Sequence, residues 1–308
     1  MSTQNNPNLN ISNDTWPPFS YPPSKSTLHL LHRAVQMMGK LKLTTPFEPH
    51  WANVCLWPTS RGLTTGVIPY KSEVLSVNLD CIEHKMIFSL SSGKMTEFKL
   101  KSGNVSTLFQ TFLQQLQLLD INVVINPNPQ EIPNAVSFLE DSTEQQYDPN
   151  LATSWWRILI NSYRVLEQYH ARFNGISPSV GFMWGTFDLR DARYLNIPVD
   201  TSKLGYIERN AMDVQQIEAG WWAGNEMYPK PAYYAFTYPK PSGIEEIKIQ
   251  PEGAAWNATL GEFILDYDVV RNSPTPEAML LQFFESAYQV GSKLAGWDPK
   301  LITSGKPI

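Results

Sequence analysis

The chain has 308 residues, of which 42% are hydrophobic and 17% charged, with a formal net charge of −5. At roughly 150 residues per domain this is enough for two ordinary domains or one large one with a sizeable core. The acidic balance disfavours a protein that grips nucleic-acid phosphates, and no apolar run approaches the ~18 residues of a membrane span. Met1 to Asn13 lacks the basic and apolar regions of a secretory signal, so a cytoplasmic protein with neither nucleic-acid nor membrane partners is expected. Cys55 and Cys81 have neither zinc-site spacing nor the numbers for a disulfide framework, and a reducing compartment keeps both as free thiols.

Residues 1–23 read as a disordered tail followed by an extended aromatic and proline segment, Trp16 to Pro23, expected to lie on apolar surface. From Ser24 the period becomes helical: Leu28, Leu31, Val35 and Met38 recur at three- and four-residue spacing up to Gly39. Short β-branched or aromatic strands are then predicted at Trp51 to Trp57, Val67 to Tyr70, Val74 to Leu79, Met86 to Leu90 and Met95 to Leu100. Asn104 opens a second helix whose stripe runs from Val105 to Leu119, and Ile121 to Ile125 reads as one more strand.

Residues 126–149 have no period and four prolines, so they read as a linker between a first half, 24–125, and a second half, 150–308. Asp148 followed by Pro149 caps a helix that carries Trp155, Trp156, Leu159, Tyr163 and Leu166. Strands are predicted at Val180 to Trp184, Phe187 to Tyr194, Gln215 to Trp222, Ala232 to Tyr238 and Leu260 to Tyr267, and a last helix at Pro276 to Leu294. The expected fold class is α+β: two similar halves, each an antiparallel sheet flanked by helices and packed as one unit. The repeated element order raises duplication as a hypothesis.

The chain carries none of the glycine-rich nucleotide loops, metalloprotease or nucleophile-elbow signatures, so no catalytic residue and no cofactor is assigned. His29 and His32 share a helix face, and His50 precedes the first predicted strand. Three imidazoles so placed suit zinc, iron or a general base, but no Asp or Glu lies within the helix to complete the set, and no metal is assigned. Around Arg61, the hydroxyls of Thr59, Ser60, Thr64 and Thr65 and the glycines Gly62 and Gly66 suit a carboxylate or phosphate; equally, the hydroxyls can satisfy their own backbone. Trp184 and Trp222 stand beside glycines and the acids Asp188 and Glu218, which suits a ring-shaped ligand or a packed core.

Several of these stretches carry a resemblance: Trp16-Pro17-Pro18, Thr27-Leu28-His29, Gly39-Lys40, His50-Trp51, Arg61-Gly62-Leu63-Thr64-Thr65, Ile68-Pro69-Tyr70, Trp184-Gly185 with Phe187-Asp188-Leu189, and Leu294-Ala295-Gly296-Trp297. In combination they resemble a bacterial family of unknown function, number fifty-nine ninety-six among the domains so named, from about Trp16 to Trp297. The resemblance implies one family unit and brings no activity, cofactor or substrate with it.

Two functional readings follow. In the first, a small-molecule pocket lies between the halves, with His29, His50, Arg61, Thr64 and Thr65 on one wall and Trp184, Asp188, Glu218 and Trp222 on the other, and the protein is a binding protein or an enzyme. In the second, exposed aromatics dock another protein chain and nothing is catalysed. Neither the ligand nor the oligomeric state is legible.

Overall fold

The structure, a computed structural model, describes residues 15–302; the expected disordered tail falls outside them. Helix α1 spans Tyr21–Lys42. It begins three residues before the expected start because Pro22 and Pro23 occupy its first turn, where proline's fixed φ suits a helix and its missing N–H costs no hydrogen bond. A short 3-10 segment at Pro49–Val54 then replaces the first part of the predicted strand 51–57. His50 and Trp51 there have φ of 61° and 55°, left-handed values that no extended strand tolerates.

The first sheet contains β1 (Trp57–Pro58), β2 (Gly62–Thr64), β3 (Ile68–Tyr70), β4 (Glu73–Asp80), β5 (Lys85–Leu90) and β6 (Met95–Lys99). Its strands pair antiparallel in the order β1-β2-β4-β5-β6, with β3 also on β4. Helix α2 (Val105–Leu118) is capped by the Asn104 side chain, which accepts the Thr107 N–H at 2.9 Å, and it packs Phe112 on Phe88 of the sheet. Residues 121–125 form no strand and pair with none among the described residues: Ile121 and Ile125 are buried while Val124 is almost wholly exposed.

Helix α3 (Pro149–His170) starts where Asp148 accepts the Asn150 N–H. The second sheet contains β7 (Gly181–Met183), β8 (Asp188–Pro198), β9 (Val214–Trp222), β10 (Ala232–Tyr238), β11 (Ala255–Asn257) and β12 (Glu262–Asp266), in the order β11-β12-β10-β9-β8-β7. Between and after these strands come α4 (Tyr206–Ala211), α5 (Tyr267–Arg271) and α6 (Pro276–Leu294). The molecule is thus α+β, with two antiparallel six-stranded sheets and flanking helices. The halves are alike in make-up and differ in strand order, so their likeness is one of layers rather than of connectivity.

The two sheets touch edge to edge. Leu56 and Phe182 exchange both backbone hydrogen bonds, at 3.0 and 2.7 Å. One apolar cluster runs from Trp16 to Trp297 through both halves, and the segment 126–149 lies along α1, with Phe138 fully buried. Among the described residues, no helix is long and apolar enough to cross a membrane.

Helices α3 and α6 cover one face of the second sheet. Tyr233 bonds Ser162 of α3 and packs on Phe284 of α6, and Thr237 touches Gly291. Strand geometry sends alternate residues to the opposite face. Half of each central strand therefore looks away from the helices, and that half is unusually rich in ionisable groups.

Candidate functional site

Beneath α1, the free face of the second sheet encloses a cavity of about 880 Å³. Its floor follows from register. Arg190 and Tyr234 both stand opposite Gly220, on the two sides of β9, while Glu218 stands opposite Ala192 and Phe236. Asp188 faces Trp222 across the β8–β9 pair, and Glu262 extends the Glu218–Phe236 row onto β12. The remaining walls come from Lys25, His29, His32 and Arg33 of α1, from residues 130–133, from α4, and from the turn at 224–227.

Gly220 makes the floor possible. A β-carbon there would lie 2.6 Å from the Tyr234 hydroxyl and would overlap the Leu189 carbonyl. With hydrogen in that place, the Tyr234 ring crosses the strand and its hydroxyl donates to Asp188, which also accepts from Thr186. Gly39 plays the same part on α1, where any side chain would overlap the Trp184 ring; the indole N–H of Trp184 donates to the Val54 carbonyl at 2.9 Å.

Burial governs the charges. Arg190 donates to Glu218 at 3.0 Å, and both side chains are more than nine-tenths buried. Desolvation pushes Glu218 up to about 7 against the pull of Arg190. It pushes Glu262 up to about 8, with the negative charges of Asp188 and Glu218 adding to the effect. Asp188 is also raised by burial, although its two hydroxyl donors favour the ionised form. Burial acts on Arg190 in the opposite sense but is overcome by Glu218, so the guanidinium stays charged.

On the helix wall, His32 points at the carbonyls of Trp184 and Gly185, at 3.2 and 2.9 Å, and stacks on Phe187. Desolvation pulls it down to about 3, so it is neutral and its Nε2–H is the donor to those carbonyls. His29 pairs with Asp141 at 3.2 Å. Four residues that line the cavity keep buried polar atoms without a partner among the described residues: both amide atoms of Gln216, the indole N–H of Trp222, Nε of Arg33 and the side-chain carbonyl of Gln130. A buried polar atom without a partner costs stability.

Of the residues expected at a site, the structure brings His29, Trp184, Asp188, Glu218 and Trp222 to this cavity. Arg61, Thr64, Thr65 and His50 do not line it. Arg61 is half exposed and donates to Asp80 at 2.7 Å, with Glu83 at 3.8 Å. The hydroxyls of its loop serve the loop itself: Thr59 accepts the N–H groups of Arg61 and Gly62, Thr64 accepts that of Gly66, and Thr65 accepts that of Val77. Gly62 is there because β2 runs so close to β4 that a side chain would overlap the Leu79 carbonyl. His50 stacks on Tyr194, ring centroids 4.0 Å apart, and it faces Asp213 at 3.9 Å. Among the described residues, no group of three or more His, Cys, Asp or Glu could hold a metal ion. Cys55 and Cys81 are both free and buried.

Sequence reasoning missed Arg33, Arg190, Gln216, Tyr234, Phe236 and Glu262 as cavity residues. A signal existed for four of them. Polar or aromatic side chains alternate at Asp188–Arg190, Gln216–Glu218 and Tyr234–Phe236, within strands otherwise apolar enough to be buried on both faces.

A second cluster, on the helix side of β8, has the composition of a nucleophile triad. His170 bonds Asp191 at 2.5 Å and Ser177 at 3.1 Å. Both contacts use the same ring nitrogen, Nδ1, so no proton can be relayed from serine through the ring to the carboxylate. The Ser177 hydroxyl donates to the Ala192 carbonyl, and the buried Arg193 beneath it stacks on Tyr169 with its guanidinium carbon 3.4 Å from the ring centroid. This cluster joins α3 to the sheet.

Residues 16–304 match the family of unknown function DUF5996, and the chain belongs to that family. No curated protein and no solved structure matches it.

Proposed function

We propose that this member of DUF5996 is a cytoplasmic small-molecule-binding protein whose ligand occupies the cavity between α1 and the free face of the second sheet. One observation carries the reading: Gln216 is fully buried in the cavity wall with neither its amide N–H nor its carbonyl partnered. A fold optimised only for stability would place an apolar side chain there. The dimensions agree, since ligand pockets commonly run ~300–1,000 Å³ and combine aromatic walls with a few placed polar groups. For the alternative of docking through exposed aromatics, Trp184 and Trp222 are buried, and Phe47 and Tyr206 are exposed rings that it would use.

Replacing Gln216 with Leu separates binding from folding. Native mass spectrometry of the tag-free protein, followed by a fragment screen, should find a retained or captured small molecule. Gln216→Leu should weaken its binding by roughly tenfold while raising the unfolding midpoint. A screen that finds no ligand, or a variant that binds as well as the parent, overturns the reading. Glu218 and Glu262 titrate near neutrality, where a general acid or base works, so chemical change in a captured fragment is a further readout of the same screen.

A further inference from the structure

We infer that the sheet wall of the cavity is a subsite for an organic cation, with an ammonium or guanidinium head seated between the carboxylate of Glu262 and the rings of Trp222, Tyr234 and Phe236. The inference rests on the small-molecule reading above and specifies the charge of what is bound.

The first ground is an excess of acid on that wall. Asp188, Glu218 and Glu262 face one another there, and Arg190 is the single cation among them. Arg190 is committed to Glu218, and Asp188 takes the hydroxyls of Tyr234 and Thr186. Glu262 is left over: the charges acting on it, Asp188 and Glu218, share its sign. A half-buried carboxyl among like charges is relieved most directly by a cation.

The second ground is what surrounds it. Trp222 and Tyr234 lie with centroids 5.6 Å apart, and Tyr234 stacks nearly parallel to Phe236 at 6.3 Å. With Ile264 and Leu260 these rings form a small apolar cluster separate from the main core. Ring faces attract cations electrostatically, and a desolvated wall strengthens that attraction. The third ground is independent of charge. The Trp222 indole N–H and the Gln216 amide, both in the same cavity, are buried without partners and offer a donor and a donor–acceptor pair to the rest of the molecule.

The test uses three fragments of one shape titrated into the full chain at about pH 8.5, where Glu262 is mostly ionised: phenethylammonium, 2-phenylethanol and 3-phenylpropionate. Calorimetry should show the ammonium binding at least about tenfold more tightly than either of the others. Glu262→Gln should remove most of that preference and leave the alcohol's affinity unchanged. Because it replaces a carboxyl that no cation among the described residues holds, this variant should fold as the parent does. Phe236→Leu should weaken the ammonium several-fold. If the alcohol or the propionate binds as tightly as the ammonium, or if Glu262→Gln keeps the preference, the cation subsite is wrong while the cavity remains a binding site. If none of the three binds at about 10 mM, the cation subsite falls, and the small-molecule reading stands or falls by the wider fragment screen.

Discussion

Asp80 and Asp188 are both buried aspartates at strand ends with an arginine close by, yet their surroundings treat them oppositely. Asp80 ends β4, where one oxygen accepts the N–H groups of Ile82 and Glu83 at 2.9 Å each and the other takes Arg61. Burial raises this carboxyl, but those bonds outweigh it and hold it below its usual range. Asp188 is also buried, and the nearby Arg190 bonds Glu218 instead, so burial wins and the carboxyl is raised. An acid that closes a turn is satisfied by the turn. Asp188, in the wall of a cavity, has two hydroxyl donors but no bonded cation among the described residues, and the contrast separates an acid held ionised from one that burial raises.

The comparison is tested most severely at the arginines. Arg190→Ala leaves Glu218 buried without its cation and should cost about 3–5 kcal/mol in urea unfolding. Arg61→Ala, on a half-exposed side chain, should cost far less. Equal losses would mean that Arg190 is not the buried partner its geometry makes it.

Next come the aspartates themselves. Asp80→Asn removes a charged acceptor of two backbone N–H groups and one guanidinium, and should cost about 2 kcal/mol at neutral pH. Asp188→Asn keeps a carbonyl acceptor and removes a charge that burial disfavours, so unfolding at the same pH should show little or no loss. The pH dependence should also divide them. A carboxyl lowered by folding stabilises the native state above its unfolded value of 3.8, and this contribution is lost on acidification. A raised one makes the native state bind more protons, so stability declines as pH rises from the unfolded value through the folded one.

Glu262 offers the finest version of that test. Its folded value of about 8 lies well above the ordinary 4.5, so between those pH values it should lower stability by about 1.4 kcal/mol per pH unit as pH rises. His32 acts in the other direction. Its lowering to about 3 means that the unfolded chain binds the extra proton between pH 3 and 6.5, and stability rises with pH there. The difference between parent and Glu262→Gln cancels the histidine, and should leave a single-proton slope from about pH 4.5 to 8 that vanishes outside it. A flat difference would show that Glu262 is open to solvent.

Legibility in the sequence follows the range of the interaction. Helices α2, α3 and α6 declare themselves because stripe and cap lie within a few residues, as Asn104 and the pair Asp148–Pro149 show. Local pattern is ambiguous at α1, where Pro22 and Pro23 suit an extended segment and a helix's first turn equally. It misleads at residues 121–125, which have the apolar character of a strand but find no neighbour to pair with.

The acids beside Trp184 and Trp222 were visible as ring–acid neighbours, and the alternation on the second-sheet strands was there to be read. Which face of those strands looks into a cavity was decided by α3 and α6 occupying the other one. Arg61 shows the limit from the opposite side: a hydroxyl-rich loop around an arginine reads as an anion site until β2 pairs with β4 and sets Gly62 opposite Asp80. The chain by itself determined the α+β class, most helices and strands, and the acidic, aromatic character of the second half. The cavity was decided only by tertiary structure, because its walls come from α1, α4, residues 130–133 and five strands brought together by register and packing, and neither quantity is encoded in any short stretch of residues.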